Sequence, residues 1–237
     1  MQELLSALTK RRSIRKTESN LPLTQADLAF IKKTISQLEP LFKDIKVDYR
    51  ILKREETDCN FGEYVLAIYS EKKENYLLNV GYMFEQLDLI LCAHNIGVCW
   101  YGWGGIKEEV LPNGLEYVIK MTLMKCEEQD YIRATPNRDT SFWEGEHQEL
   151  FATCKLSPSA HNSQPWRIKA DADTINVSRY ISLMSSVSKL LTYFNKIDMG
   201  IFLCCLEISM KDKWTRTIYP ETNKKEHLVT IAQYKRS

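Results

Sequence analysis

Three arginines, a lysine and a hydroxyl fall within six residues at Arg11-Arg12-Ser13-Ile14-Arg15-Lys16. A guanidinium is planar and always charged, and its paired N–H donors match phosphate oxygens. A serine hydroxyl adds one more donor. The segment suits a single phosphate group, and by itself it also reads as a solvated basic turn. A second polar segment runs Ser157-Pro158-Ser159-Ala160-His161-Asn162-Ser163-Gln164-Pro165-Trp166. Its prolines restrict the backbone, and its short polar side chains can aim hydrogen bonds at a planar heterocycle. Alone, it too reads as an ordinary polar loop.

Other reactive side chains carry weaker signals. His94 and His147 have no nucleophile or carboxylate partner at a telling spacing. His161 lies inside the polar loop, in reach of a substrate, though a loop histidine needs no such role. Trp100, Trp103 and Trp143 can wall a site for a flat molecule or simply fill core. The seven cysteines are odd in number, include no C-x-x-C pair and lie mostly in apolar surroundings. They read as buried free thiols in a reducing compartment, with Cys99 in the core. No Cys/His spacing matches a metal cage.

These segments need elements to hold them. Residues 1–10 read as a short amphipathic helix that delivers the basic cluster. Thr24 caps a second helix that ends at Pro40. Ile45–Lys53 and Tyr64–Tyr69 read as strands. Tyr76–His94 is dense in apolar residues and reads as a buried central helix, followed by a strand over Val98–Trp103 into the turn Gly102-Trp103-Gly104-Gly105. Tyr117–Lys125 is another strand, and Thr135–Arg138 a loop. Beyond it, Glu146–Lys155 reads as a helix that leads into the polar loop. Trp166–Ala170 and Thr174–Ser178 form a hairpin, Lys196–Lys211 a second central helix, and Leu228–Tyr234 a closing strand.

The 237 residues suffice for one large domain, or two small ones around a shared core. The net charge of +1 gives no bulk field for nucleic acid or an anionic membrane. No apolar run reaches membrane-spanning length, and no signal peptide opens the chain. The sequence therefore predicts a soluble, cytoplasmic protein. A weak repeat links Asn79-Val80-Gly81-Tyr82-Met83-Phe84 to Asp198-Met199-Gly200-Ile201-Phe202-Leu203, with Leu87 matching Leu206. It favours duplication, into a first half over 1–138 and a second over 139–237, fused without a linker.

Taken together, P-S-x-x-N-x-Q-P-W in the polar loop and R-R-S-x-R after the first helix resemble the two flavin signatures of the nitroreductase family. The glycine-rich Trp100-Tyr101-Gly102-Trp103-Gly104-Gly105 after a buried helix is similar to that family as well. The resemblance implies an α+β nitroreductase fold, with mainly antiparallel sheets flanked by helices, and FMN as cofactor. It implies that Arg11 and Ser13 contact the phosphate, Arg12 the ribityl or ring region, and Arg15 the N1/O2 edge. Pro158, Ser159 and Asn162 would line the ring and ribityl chain. Backbone groups near Tyr101 and Gly102 would face N5 and O4, with Arg138 a further phosphate ligand. Typical members complete each site across a homodimer. Here the two signatures sit in opposite halves, and no P-S-x-x-N occurs near residues 38–48. The resemblance therefore implies a fused pseudo-dimer, monomeric or weakly dimeric, with one FMN.

The implied activity is ping-pong hydride transfer from a transient NAD(P)H donor, through the flavin, to a nitroaromatic or quinone. No side-chain acid is required, and none is assigned. Two rivals keep the same residues: a flavin-storage protein without turnover, and a scaffold that has lost FMN and serves as an interaction protein.

Overall fold

The computed structural model describes residues 2–106, 114–132, 142–182, 188–210, 213–221, 224–225 and 227–236. Helix α1 spans Gln2–Lys10 and α2 Gln25–Ile35. Thr24 starts α2 through a capping box: its hydroxyl accepts from the Asp27 N–H, and the Asp27 carboxylate accepts from the Thr24 N–H. Strands β1 (Val47–Lys53) and β2 (Tyr64–Ser70) follow, then α3 (Tyr76–Ala93), β3 (Ile96–Tyr101) and β4 (Glu116–Lys125). The second run is β5 (Trp143–Gly145), α4 (Gln148–Cys154), β6 (Trp166–Ala170), β7 (Thr174–Tyr180), α5 (Lys189–Ser209), β8 (Trp214–Ile218), β9 (Lys224–Lys225) and β10 (Leu228–Arg236).

The architecture is α+β. The first sheet has the order β1-β2-β4-β3, all antiparallel. The second has the order β5-β6-β7-β10-β8, with β9 also on β10; only the short β5 runs parallel to its neighbour. Without β5 and β9, the two orders are the same when read along the chain. In each, the second and third strands in sequence are separated by a long buried helix.

Those helices, α3 and α5, cross in the middle of the molecule. Both glycines of the repeated hexapeptides lie at the crossing. A Cβ on Gly81 would stand 2.1 Å from the Ile197 carbonyl oxygen, and one on Gly200 would stand 2.0 Å from that of Leu78. Only glycine lets two helix backbones approach this closely. One continuous apolar core surrounds the pair and reaches both sheets.

Two expectations change. The second central helix begins at Lys189, seven residues before Lys196, because the Ser188 hydroxyl accepts from the Leu191 N–H and caps it there. Strands β5 and β8 were not anticipated. Three-residue β5 is too short to show a period, and β8 (Trp-Thr-Arg-Thr-Ile) is mostly polar because it lies at the sheet edge beside β10. Arg138, the expected loop at Thr135–Arg138 and the expected boundary near Asp139 lie outside the described residues.

Candidate functional site

A cavity of about 350 Å³ opens beside the N-terminal half of α5. One side carries Ser13 and Arg15, then Cys99 to Trp103 at the end of β3, with Ile119 of β4. The other carries Pro158 to His161 and, from α5, Phe194, Ile197, Asp198 and Ile201. The basic segment, the glycine turn and the polar loop thus share one cavity, although residues 15 and 158 lie far apart in the chain. Its size suits a small-molecule ligand.

Each wall has a local cause. The Ile14 N–H donates to the Val98 carbonyl at 2.9 Å and lays the basic segment along β3. Its buried side chain fills the space over Gly97, where a Cβ would stand 2.9 Å from that of Ile14. The outward neighbours Ser13 and Arg15 then face the cavity. Arg15 is exposed and makes no hydrogen bond or ion pair among the described residues.

The polar loop is held in an unusual backbone. His161, Asn162 and Gln164 have φ of 52°, 55° and 45°, the left-handed region that non-glycine residues seldom enter. Its hydrogen bonds keep it there. The Ala160 N–H donates to both oxygens of Asp198 at 3.1 Å, the Gln164 N–H donates to the Ser159 hydroxyl at 3.1 Å, and the Ser163 hydroxyl donates to Asn195 at 2.9 Å. The anchors come from α5, so the helix that crosses α3 also carries the loop. Nothing in the sequence singled out Asp198 as the anchor, although it opens the repeated hexapeptide.

Not every expected ligand reaches the cavity. Ser13, Arg15, Tyr101, Gly102, Pro158 and Ser159 do; Arg11, Arg12 and Asn162 do not. Arg11 turns inward, 3.2 Å from Asp88 and 3.9 Å from Glu85, and is buried. Its assigned phosphate contact is replaced by a structural ion pair, because two buried carboxylates on α3 need its charge. Arg12 donates from Nη1 to the carbonyls of Thr9 and Arg11, at 3.1 and 2.8 Å, and closes the C-terminus of α1. The Asn162 carbonyl accepts from Gln164 at 3.5 Å within the loop.

The tryptophans divide. Trp103 is exposed at the cavity mouth, edge-on to His161 with ring centroids 6.0 Å apart. Trp100 lines the cavity and donates its indole N–H to Glu85 at 3.2 Å. Trp143 is buried and donates to the Glu146 carbonyl, so it is core rather than a substrate wall. Burial pushes all seven cysteine thiols upward, Cys126 to about 11 and Cys92 to about 12, which leaves none as a ready thiolate.

Burial also pushes Glu85 well above the usual carboxylate range, helped by the nearby charge of Asp88. Burial raises Asp88 as well, and Arg11 lies closer to Asp88, at 3.2 Å, than to Glu85, at 3.9 Å. No group of three metal-ligating side chains occurs among the described residues, and no described helix is long and apolar enough to cross a membrane.

A search of curated proteins returns no match. Among solved structures, the chain is similar to one described as a putative nitroreductase from Thermotoga maritima MSB8. The two share 21% identity over 98% of this chain and 91% of that one, with a TM-score of 0.62, a likeness of fold. The family model described as "Putative TM nitroreductase" matches residues 3–210, most of the chain, and the protein belongs to that family.

Proposed function

We propose that the protein is an FMN-dependent oxidoreductase that passes hydride from NAD(P)H to a flat electrophile such as a nitroaromatic or quinone. The observation that carries this reading is the meeting of Ser13 and Arg15 with Pro158 and Ser159 in one cavity. The cavity chemistry fits the cofactor: a guanidinium with no ion-pair partner among the described residues and a hydroxyl stand at one side, and Cys99, Ile119, Ile197 and Ile201 give apolar surface to a ring. FMN, when bound, would supply the two-electron hydride chemistry that no side chain here supplies.

The protein's own part is to bind, orient and exclude water. Arg15 holds positive charge where an anionic form of the bound group is stabilised. Pro158 and Ser159 fix the loop against a planar ligand, and Asp198 keeps that loop in place. Tyr101 and Gly102 present backbone at the opposite wall. With Arg11 engaged in the core, Ser13 is left as the phosphate contact and Arg15 keeps the N1/O2 edge. The shared order of the two sheets supports a duplicated chain acting as a fused pseudo-dimer with one flavin, in a monomer or weak dimer.

The test is a visible absorption spectrum of the purified, FMN-supplemented protein before and after NADH or NADPH, followed by turnover with a nitroaromatic. Flavin bands that bleach with the donor and return with the acceptor are expected. Flavin that binds and is not reduced indicates storage, and failure to take up FMN overturns the cofactor.

A further inference from the structure

Lys120 is a buried cation outside the cavity. It follows the cavity-lining Ile119 on β4, and strand alternation turns it to the other face of the sheet. There it is fully buried, opposite Ala67 in a small apolar cluster with Leu52 and Leu115. No carboxylate lies within ion-pair distance among the described residues, and burial lowers its pKa. A methionine would fill the same space without the cost of desolvating an ammonium.

What the ammonium does is hold a turn. Its Nζ donates to the Trp103 carbonyl at 2.7 Å and the Gly105 carbonyl at 3.1 Å, and lies 5.2 Å from the Tyr101 ring. Asp58 grips the same turn from outside, accepting from the Gly105 N–H at 3.0 Å. The fit is close: a Cβ on Gly104 would stand 2.8 Å from that of Asp58. Two carbonyls and one N–H of a three-residue turn are thus fixed by side chains from elsewhere. The residue so held, Trp103, reaches His161 at the cavity mouth from the opposite wall.

We propose that Lys120 and Asp58 are positioning residues, which set the Trp103–Gly105 turn so that Trp103 and His161 form an aromatic gate selecting flat acceptors. Neither touches the acceptor; Lys120 acts through the Trp103 and Gly105 carbonyls, and Asp58 through the Gly105 N–H. The acceptor class rests on the oxidoreductase reading above, whereas the placement of Trp103 does not.

A double-mutant cycle tests it, with Lys120→Met, Trp103→Ala and the pair, each in the FMN-loaded protein. The acceptors are a planar nitroaromatic and ferricyanide, a compact octahedral one-electron oxidant that has no flat face for a gate to read. Lys120→Met should raise the nitroaromatic KM about tenfold with kcat changed less than about threefold, and leave ferricyanide reduction unaltered. The double variant should be no worse than Trp103→Ala alone. Additive losses, or equal losses with ferricyanide, overturn the proposal. A flavin-free readout is acrylamide quenching of Trp103 fluorescence, taken as the difference from Trp103→Phe. Lys120→Met should increase that quenching, and unchanged quenching overturns the positioning role. Asp58→Ala alters an exposed residue, loosens the same turn and serves if Lys120→Met does not fold. A wild-type chain that binds no FMN defeats the oxidoreductase reading and leaves the quenching result to decide the placement.

Discussion

Two clefts flank the crossed helices, one beside α5 and one beside α3, and they treat their cations differently. The first, about 350 Å³, has Ile119 of β4 in its wall and holds Arg15 with no ion-pair partner among the described residues. The second, about 230 Å³, has Ile231 of β10 and the start of α3 in its wall. There Lys196 pairs with Glu221, which also accepts from the buried Arg179, and Lys73 pairs with Glu71 at 3.1 Å. One cleft keeps a cation available to a ligand; the other neutralises its lysines internally. The two sheets share one strand order, and the difference between the clefts lies in their side chains.

The largest expected effect separates an arginine of the fold from the arginine of the cleft. Arg11→Met should destabilise the protein by about 3–5 kcal/mol, because it strands Asp88 as an uncompensated buried charge. Urea unfolding measures this, and a loss below about 1 kcal/mol would return Arg11 to the list of ligand-binding residues. The crossing between the clefts is next. Gly200→Ala should cost about 1–3 kcal/mol or more, since its Cβ would press on the Leu78 carbonyl, and Gly81→Ala should cost a similar amount. A thermal melt near that of the wild type would show that the helices can part freely.

Arg15→Ala should leave stability nearly unchanged and weaken FMN about 10- to 100-fold, the loss of one charge-assisted contact worth about 1.5–3 kcal/mol. Titration by quenching of flavin fluorescence reads it. Equal affinity in the two proteins would erase the contrast between the clefts.

Glu85→Gln sharpens the charge balance beneath Trp100. The native state holds the Glu85 proton above the ordinary carboxylate range, whereas the unfolded chain releases it there. Stability from this group therefore declines as pH rises from the ordinary carboxylate value to the raised one, by at most about 1.4 kcal/mol per pH unit, and then levels off. The variant should lose that decline in a pH series of melts; an unchanged slope would show that Glu85 is already ionised. The smallest effect is expected in the second cleft. Lys196→Ala removes a partly exposed pair and should cost less than about 1 kcal/mol, with no change in FMN affinity.

Much of the fold was legible because local sequence carries it. Thr24 and Asp27 announce the start of α2, and the apolar density of residues 76–94 announces α3. The paired glycines at 81 and 200 announce a close approach, though not which backbone would approach. The edge strand β8 was silent, since an exposed strand needs no apolar period. Within the site, Arg15 and Ser13 were legible from the cluster that holds them, but Arg11 and Arg12 have the same residue type and nearly the same position. Which of three arginines faces a ligand depends on the path of the segment along β3 and on where α3 places its carboxylates.

The sequence by itself determined the family, the two polar segments and the helices that present them. Local propensity, capping and apolar period act over a few residues, and the motifs are contiguous. Only the tertiary structure decided that Arg11 serves the core, that Asp198 anchors the polar loop, and that Lys120 holds the glycine turn. Each of these depends on charges and carbonyls brought together from distant parts of the chain, and burial makes those meetings compulsory: a buried charge or polar group must find its partner wherever the fold has placed it.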